Sequence, residues 1–140
     1  MSEVAERIEE LKGEFEFLDD WEDRYRYIID IGKDLAPLTP EQKNDETKVR
    51  GCTSQVWLIM EKDAQSGNLV FHGESDSTLV QGLVGVLIRI YSNAKASDIV
   101  AIPPEQALSE LQLFDALSPS RANGLKSMAK KIIEFANLNS

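Results

Sequence analysis

Apolar residues recur at helical spacing from the start of the chain: Val4, Ile8, Leu11, Phe15 and Leu18, with Glu and Lys between them. That period lays one apolar stripe along a helix, with Gly13 as a weak point inside it. Asp19-Asp20 then offers an N-cap before Trp21, and Asp23 falls in the first turn, where a carboxylate suits the helix dipole. Trp21, Tyr25, Ile28, Ile29 and Leu35 predict a second helix buried on one face. Pro37 ends it, because its ring and missing N–H cannot continue the ladder. Thr39 to Lys48 is polar and carries Pro40, which predicts a surface connection with room for one helical turn. Its length is near the upper end for an ordinary loop, and longer irregular segments are often functional.

The period then changes. Gln55 to Glu61 is apolar at successive positions, the pattern of a strand covered on both faces. Asp63 to Asn68 is a turn sequence, and Leu69-Val70-Phe71-His72 returns as an antiparallel strand. Lys48 to Gly51 predicts a preceding strand, so Cys52 and Thr53 fall in a tight turn and a three-stranded meander results. Gly73 to Ser77 breaks the pattern, and Ser75 or Asp76 can cap the next helix. Leu79 to Tyr91 is apolar almost all round, as the most buried helix would be. Gly82 and Gly85 cost about 1 kcal/mol each inside a helix relative to Ala. Close packing of this helix on the sheet accounts for them; phosphate-binding motifs place their glycines in a loop before the helix instead.

Ser97 to Val100 suggests a short helical turn stopped by Pro103-Pro104, and Pro104 or Glu105 opens a helix through Leu113 or Phe114. Ser118-Pro119 is a cap followed by proline at the first helical position. Leu125, Met128, Ile132 and Ala136 give the last helix its apolar stripe, with Lys126, Lys130 and Lys131 solvated. Repeats and low-complexity tracts are absent from the sequence. Helices, a meander, then helices again make an α+β fold: a three-stranded antiparallel sheet packed with helices from both chain ends. Residues 1–140 fit a single domain.

Composition narrows the function. A chain of 140 residues can bury roughly two thirds of its unfolded surface, so it needs no metal or disulfide staple. Its net charge of −9 argues against nucleic acid, which is bound through basic patches, and against an anionic membrane surface. It suits docking to a basic patch on another protein. One cysteine makes no internal disulfide, which fits a reducing compartment. Met1 to Glu6 has neither the basic start nor the apolar core of a signal peptide. The longest apolar run, Leu83 to Ile88, is far short of the ~20 residues that span a bilayer. The expectation is a soluble cytoplasmic protein.

The chemistry on offer is sparse. A zinc site needs three or four protein ligands, and this chain has Cys52 and His72; no metal is expected. The carboxylates read as solvated helix faces. His72 ends a strand and reads as structural. A Cys–His hydrolase would lack both its third member and an oxyanion hole. Cys52 has two readings. It is a small buried hydrophobe, or it is a reactive thiol. Gly51 permits a sharp turn and close approach of another protein. Thr53, Ser54 and Gln55 supply donors for a sulfur anion, and Lys48 and Arg50 are cations that lower a thiol pKa from its free value of about 8.5. Such a thiolate attacks sulfur in another molecule. Without a resolving cysteine, it suits a carrier that receives a group and passes it on.

Gly51-Cys52-Thr53-Ser54-Gln55-Val56-Trp57 resembles the GCxSQVW signature of the SufE family of sulfur-acceptor proteins. Trp21 to Tyr25 with Tyr27-Ile28-Ile29, Gly73 to Asp76 followed by Gln81-Gly82-Leu83, and Leu117 to Leu125 resemble further family stretches in the same order. The resemblance implies a fold shared with IscU-type scaffolds, though those assemble clusters on several cysteines and this chain has one. It implies that Cys52 takes sulfur from the persulfide of a pyridoxal-phosphate cysteine desulfurase of the SufS or CsdA type. The sulfur then passes to an iron–sulfur scaffold such as SufBCD, or to another acceptor. The protein would stimulate the desulfurase and hold no cofactor itself: an accessory carrier rather than a stand-alone enzyme, acting as monomer or homodimer. Gly51, Thr53, Ser54 and Gln55 would shape the loop. Arg121, in an SPSR-like stretch, is either a docking residue near the cysteine or a plain helix-start arginine. Glu74 stands where Asp is more usual. The family's cysteine can rest in an apolar pocket, where desolvation opposes the nearby cations. Two other readings stay open: a regulatory binding module that carries no sulfur, and a thiol enzyme.

Overall fold

The computed structural model describes residues 2–51 and 54–140. Among the described residues, six helices and two strands follow in the order α1 (Glu3–Glu16), α2 (Trp21–Lys33), β1 (Val56–Lys62), β2 (Leu69–Ser75), α3 (Thr78–Tyr91), α4 (Ala96–Ala101), α5 (Pro104–Glu110) and α6 (Pro119–Leu138). The expected α+β arrangement is there, with helices on both sides of the hairpin in sequence. Ser2 caps α1 by accepting from the Ala5 N–H, and Asp20 caps α2 by accepting from the Asp23 N–H. Gly13 sits inside an unbroken α1.

The sheet differs from expectation. It has two strands, paired antiparallel in a register that sets Val56 opposite Ser75 and Lys62 opposite Leu69. The third strand, predicted over Lys48 to Gly51, is reduced to one bridge between Lys48 and Trp57. Its hydrogen bonds are Val49 N–H to the Val56 carbonyl and Leu58 N–H to the Thr47 carbonyl, both 2.8 Å. The chain on either side is committed to other geometry. The Asn44 side chain accepts from the Glu46 and Thr47 N–H groups, holding that stretch in a turn. Gly51, at φ +87°, leaves extended geometry at the other end. Too few residues remain between them for a ladder. β1 is also covered on one face rather than two. Val56 and Leu58 are buried, while Trp57 and Ile59 are half-exposed.

α3 is the buried centre, as its all-round apolar pattern predicts. Nine of its fourteen residues are buried. It packs on α2, on β2, and more lightly on α1 and α6. The glycines on it serve a different neighbour from the one expected: they let α3 approach α2, not the sheet. A Cβ on Gly82 would stand 2.4 Å from the Ile28 carbonyl oxygen, and one on Gly32 of α2 would stand 2.6 Å from the Gly82 nitrogen. The two backbones touch where neither carries a side chain.

Polar side chains close the ends. Arg7 of α1 donates through Nη1 to the carbonyls of Ile90 at 3.0 Å and Ser92 at 2.7 Å, satisfying acceptors that a helix C-terminus leaves free. Arg89 forks onto both oxygens of Glu14, tying α3 to α1. Tyr91 is fully buried, and its hydroxyl donates to the Ile102 carbonyl at 2.7 Å. α5 stops at Glu110, short of the expected Leu113 or Phe114, because Gln112 takes φ +61°. Among the described residues no helix is long and apolar enough to cross a membrane.

Candidate functional site

The segment that bears the cysteine enters and leaves through fixed points. Cys52 and Thr53 themselves lie outside the described residues. Upstream, the Lys48–Trp57 bridge joins the approach to the first residues of β1. Gly51 follows in the left-handed region, which glycine alone adopts without strain. It lies against α6: a Cβ there would meet Ser127 Oγ at 2.9 Å.

Downstream, Gln55 is held twice by one carboxylate. Its N–H donates to Asp76 Oδ1 at 3.0 Å and its side-chain Nε2 donates to Oδ2 at 3.3 Å. The Asp76 N–H returns a bond to the Gln55 carbonyl at 3.2 Å. Neither Ser75 nor Asp76 is the helix cap that the sequence suggests. Ser77 caps α3, accepting from the Val80 N–H. Asp76 is thereby free to grip the outgoing end of the cysteine segment. Pattern reading missed this role, because a clasp between residues 21 apart leaves no local signal.

The polar connection before the segment is fixed by Glu74 of β2. Its Oε1 accepts from the Leu38 N–H and its Oε2 from Lys43 Nζ, each at 2.9 Å. Lys43 also lies over the Trp57 ring, 5.5 Å from its centre. The hydrogen bond from Lys43, then that from the Leu38 N–H, hold the Glu74 carboxyl below its ordinary pKa. The Glu74 side chain thus reaches two donors on the connection.

α6 supplies the opposite wall. Ser54, half-buried, and Arg121, exposed in the first turn of α6, line one small cavity with Ser120, Val80, Leu83 and Met128. The cavity has room for about one water-sized sphere, ≈ 10 Å³, and its wall is mostly apolar. Of the candidate site residues, Gly51, Ser54, Gln55 and Arg121 therefore stand around the segment. Gly51 and Gln55 are exposed. His72 does not join them. It sits mid-hairpin opposite Ile59 with its side chain exposed. Among the described residues no three His, Cys, Asp or Glu side chains gather as metal ligands would.

Comparison with known proteins is consistent along the chain. A family model described as "SufE: Fe-S metabolism associated domain" matches residues 9–136. An uncharacterized SufE-like protein of Rhizobium etli is 43% identical over 133 residues, covering 94% of this chain and 90% of the relative. A second, from Rhizobium meliloti, is 42% identical over 127 residues, covering 89% and 91%. The solution structure of a hypothetical protein from Thermus thermophilus superposes with a TM-score of 0.75 over 95% of both chains at 15% identity. That last likeness carries the fold alone.

Proposed function

Because this chain belongs to the SufE family, associated with iron–sulfur metabolism, we propose that it is a sulfur acceptor working through Cys52. It folds as one SufE-like domain over residues 1–140 and acts in the reducing cytoplasm. Its donor is a pyridoxal-phosphate cysteine desulfurase bearing a cysteine persulfide. The Cys52 thiolate attacks the outer sulfur of that persulfide. One S–S bond forms to Cys52 while the S–S bond in the donor breaks, and the donor cysteine leaves as a thiolate. The transferred sulfur keeps its oxidation level and its proton, so no outside oxidant or reductant enters. Repetition of the same attack by a downstream thiol hands the sulfur on toward a cluster scaffold.

The observation that carries the reading is the placing of one thiol-bearing segment between fixed ends. Backbone pairing holds Lys48 and Val49, and Asp76 holds Gln55. Gly51 has the backbone freedom, and Ser54 and Arg121 share a small cavity beside it. A carrier needs a nucleophile presented on a rigid base, with no second cysteine to consume the persulfide internally.

Intact-protein mass spectrometry tests it. After incubation with a cysteine desulfurase and free cysteine, Cys52 gains one sulfur that reductant removes, and Cys52→Ser gains none. A Cys52→Ser variant that stimulates the desulfurase as fully as wild type would select a regulatory module instead.

A further inference from the structure

The whole chain is acidic, at net charge −9, but the surface beside the cysteine segment is not. Arg50, exposed and adjacent to Gly51, shares a groove with Ser127, Lys130, Lys131 and Glu134 of α6. α6 holds Arg121, Lys126, Lys130 and Lys131 against Glu134 alone, a cationic helix in an anionic protein. Glu134 stands 4.0 Å from Lys130.

Pairing is uneven over the surface. Arg7, Lys12, Arg26, Lys33, Lys43 and Arg89 each hold a carboxylate within 4.0 Å, and in the groove Lys130 reaches Glu134. Among the described residues, no ion pair reaches Arg50 or Lys131 there, nor Arg24, Lys48, Lys62, Lys95, Arg121 or Lys126 elsewhere. Like charges one helical turn apart, as at Lys126 and Lys130, repel and destabilise a helix. Arg50, Lys130 and Lys131 against Glu134 leave the groove with an excess of positive charge. That excess creates a local positive potential, and an opposing surface experiences both its attraction and the repulsion of the acidic remainder.

We propose that Arg50, Lys130 and Lys131 form the docking contact for an acidic patch on the sulfur donor, the cysteine desulfurase, beside its persulfide. This rests on the sulfur-acceptor reading for the identity of the partner. The sign of charge sets the orientation. The donor's acidic patch is drawn to this basic groove beside Gly51, and the carboxylates elsewhere on the chain repel it. Overall acidity suggested a basic patch on the partner. The local arrangement reverses that expectation at the place where sulfur would change hands.

Titration calorimetry with a cysteine desulfurase tests the contact directly, whether or not sulfur moves. K130E/K131E is compared with wild type and with K62E/K95E. The latter makes the same change in net charge at the far end of the hairpin, where Lys62 pairs with Leu69 and Leu69 bridges Ala94. At low salt K130E/K131E binds about tenfold more weakly, while K62E/K95E stays within about twofold of wild type. Raising salt from about 0.05 M to about 0.5 M weakens wild type and erases most of the difference. Equal affinity for all three proteins overturns the proposal, as does equal weakening of both variants, which would make net charge the cause. Inorganic phosphate competing beyond its ionic strength also overturns it, because the groove would then take a small anion. Mass spectrometry in parallel keeps the two readings apart. A basic face without effect on binding while Cys52 still gains sulfur removes this contact alone. Salt-sensitive docking with no sulfur on Cys52 removes the carrier reading alone.

Discussion

Replacing Glu74 by glutamine keeps the shape of the side chain and one acceptor, but takes away the charge that Lys43 meets. The two side chains are 20% and 30% exposed, so the pair is neither free in solvent nor fully desolvated. Exposed ion pairs contribute about 0.2–1 kcal/mol, and hydrogen bonds to charged groups about 1.5–3 kcal/mol where water is excluded. A contact at this depth belongs near the boundary, and a coupling of roughly 1 kcal/mol follows. Lys43 has a second attachment in the Trp57 ring, good for about 0.5–1 kcal/mol, so Lys43→Met costs more than Glu74→Gln. A double-mutant cycle removes that second term from the coupling. Urea unfolding of wild type, E74Q, K43M and the double variant measures it. A coupling below about 0.3 kcal/mol, the usual error of additivity, would refute the reasoning: the Leu38 contact would then hold the connection unaided.

Acid adds a second check on the same contact. The Glu74 pKa is lowered in the fold, so the folded chain binds fewer protons there than the unfolded chain. The contribution is complete above the unfolded value, near the ordinary 4.5, and is lost as pH falls through the lower folded value. The stability gap between wild type and E74Q therefore stays flat at neutral pH and narrows as the solution is acidified below 4.5. A gap that widens on acidification contradicts the sign.

Three further substitutions probe other parts of the frame, with a glycine control beside the first. Gly82→Ala places a methyl 2.4 Å from the Ile28 carbonyl oxygen; the helix-propensity gain of about 1 kcal/mol is outweighed by overpacking of about 1–3 kcal/mol, and the melting temperature falls. Gly13→Ala, with nothing within 4 Å of the new methyl, takes the gain without the clash and raises it. Tyr91→Phe leaves the half-buried Ile102 carbonyl without its donor and costs about 1–2 kcal/mol in denaturant unfolding. Asp76→Ala frees the Gln55 amide, whose hydrogen exchange quickens about tenfold, while unfolding free energy changes by no more than about 1 kcal/mol because the clasp is exposed.

Much of the helical frame was legible because it rests on period and punctuation. The apolar stripe of α1, the Asp20 cap, the buried α3 and the Ser118-Pro119 start of α6 all stand where pattern put them. What pattern missed depended on pairing across the chain. A one-bridge contact and a full strand look alike from Lys48 to Gly51, since the difference lies in the Asn44 turn before it and the backbone angle at Gly51. The apolar run of β1 suggested two covered faces. Trp57 is instead half-exposed beneath the cation of Lys43, a partner that hydrophobicity does not reveal. Gly82 and Gly85 announced a close approach, expected to be to the sheet, and the neighbour is α2 instead.

The site divides the same way. Gly51, Ser54 and Gln55 flank the cysteine in sequence, and the structure sets Gly51 against α6, Ser54 in a small cavity and Gln55 against Asp76. The residues that fix its ends were not. Asp76 looks like a cap because an aspartate before a helix usually is one. Only the presence of Ser77 one residue later releases it for Gln55. Ser127 reads as a surface residue of α6, yet it is where Gly51 rests, so any side chain at position 51 would meet Ser127 as well as backbone strain. The glycine is therefore required twice, once by its own angle and once by the helix beneath it. Gly51→Ala together with Ser127→Ala separates the two demands, since only the Ser127 hydroxyl comes within 3 Å of the new methyl. Removing the Ser127 hydroxyl relieves the contact but not the angle, so the double variant recovers only part of the stability that Gly51→Ala loses, and full recovery would show that the left-handed angle carries no cost.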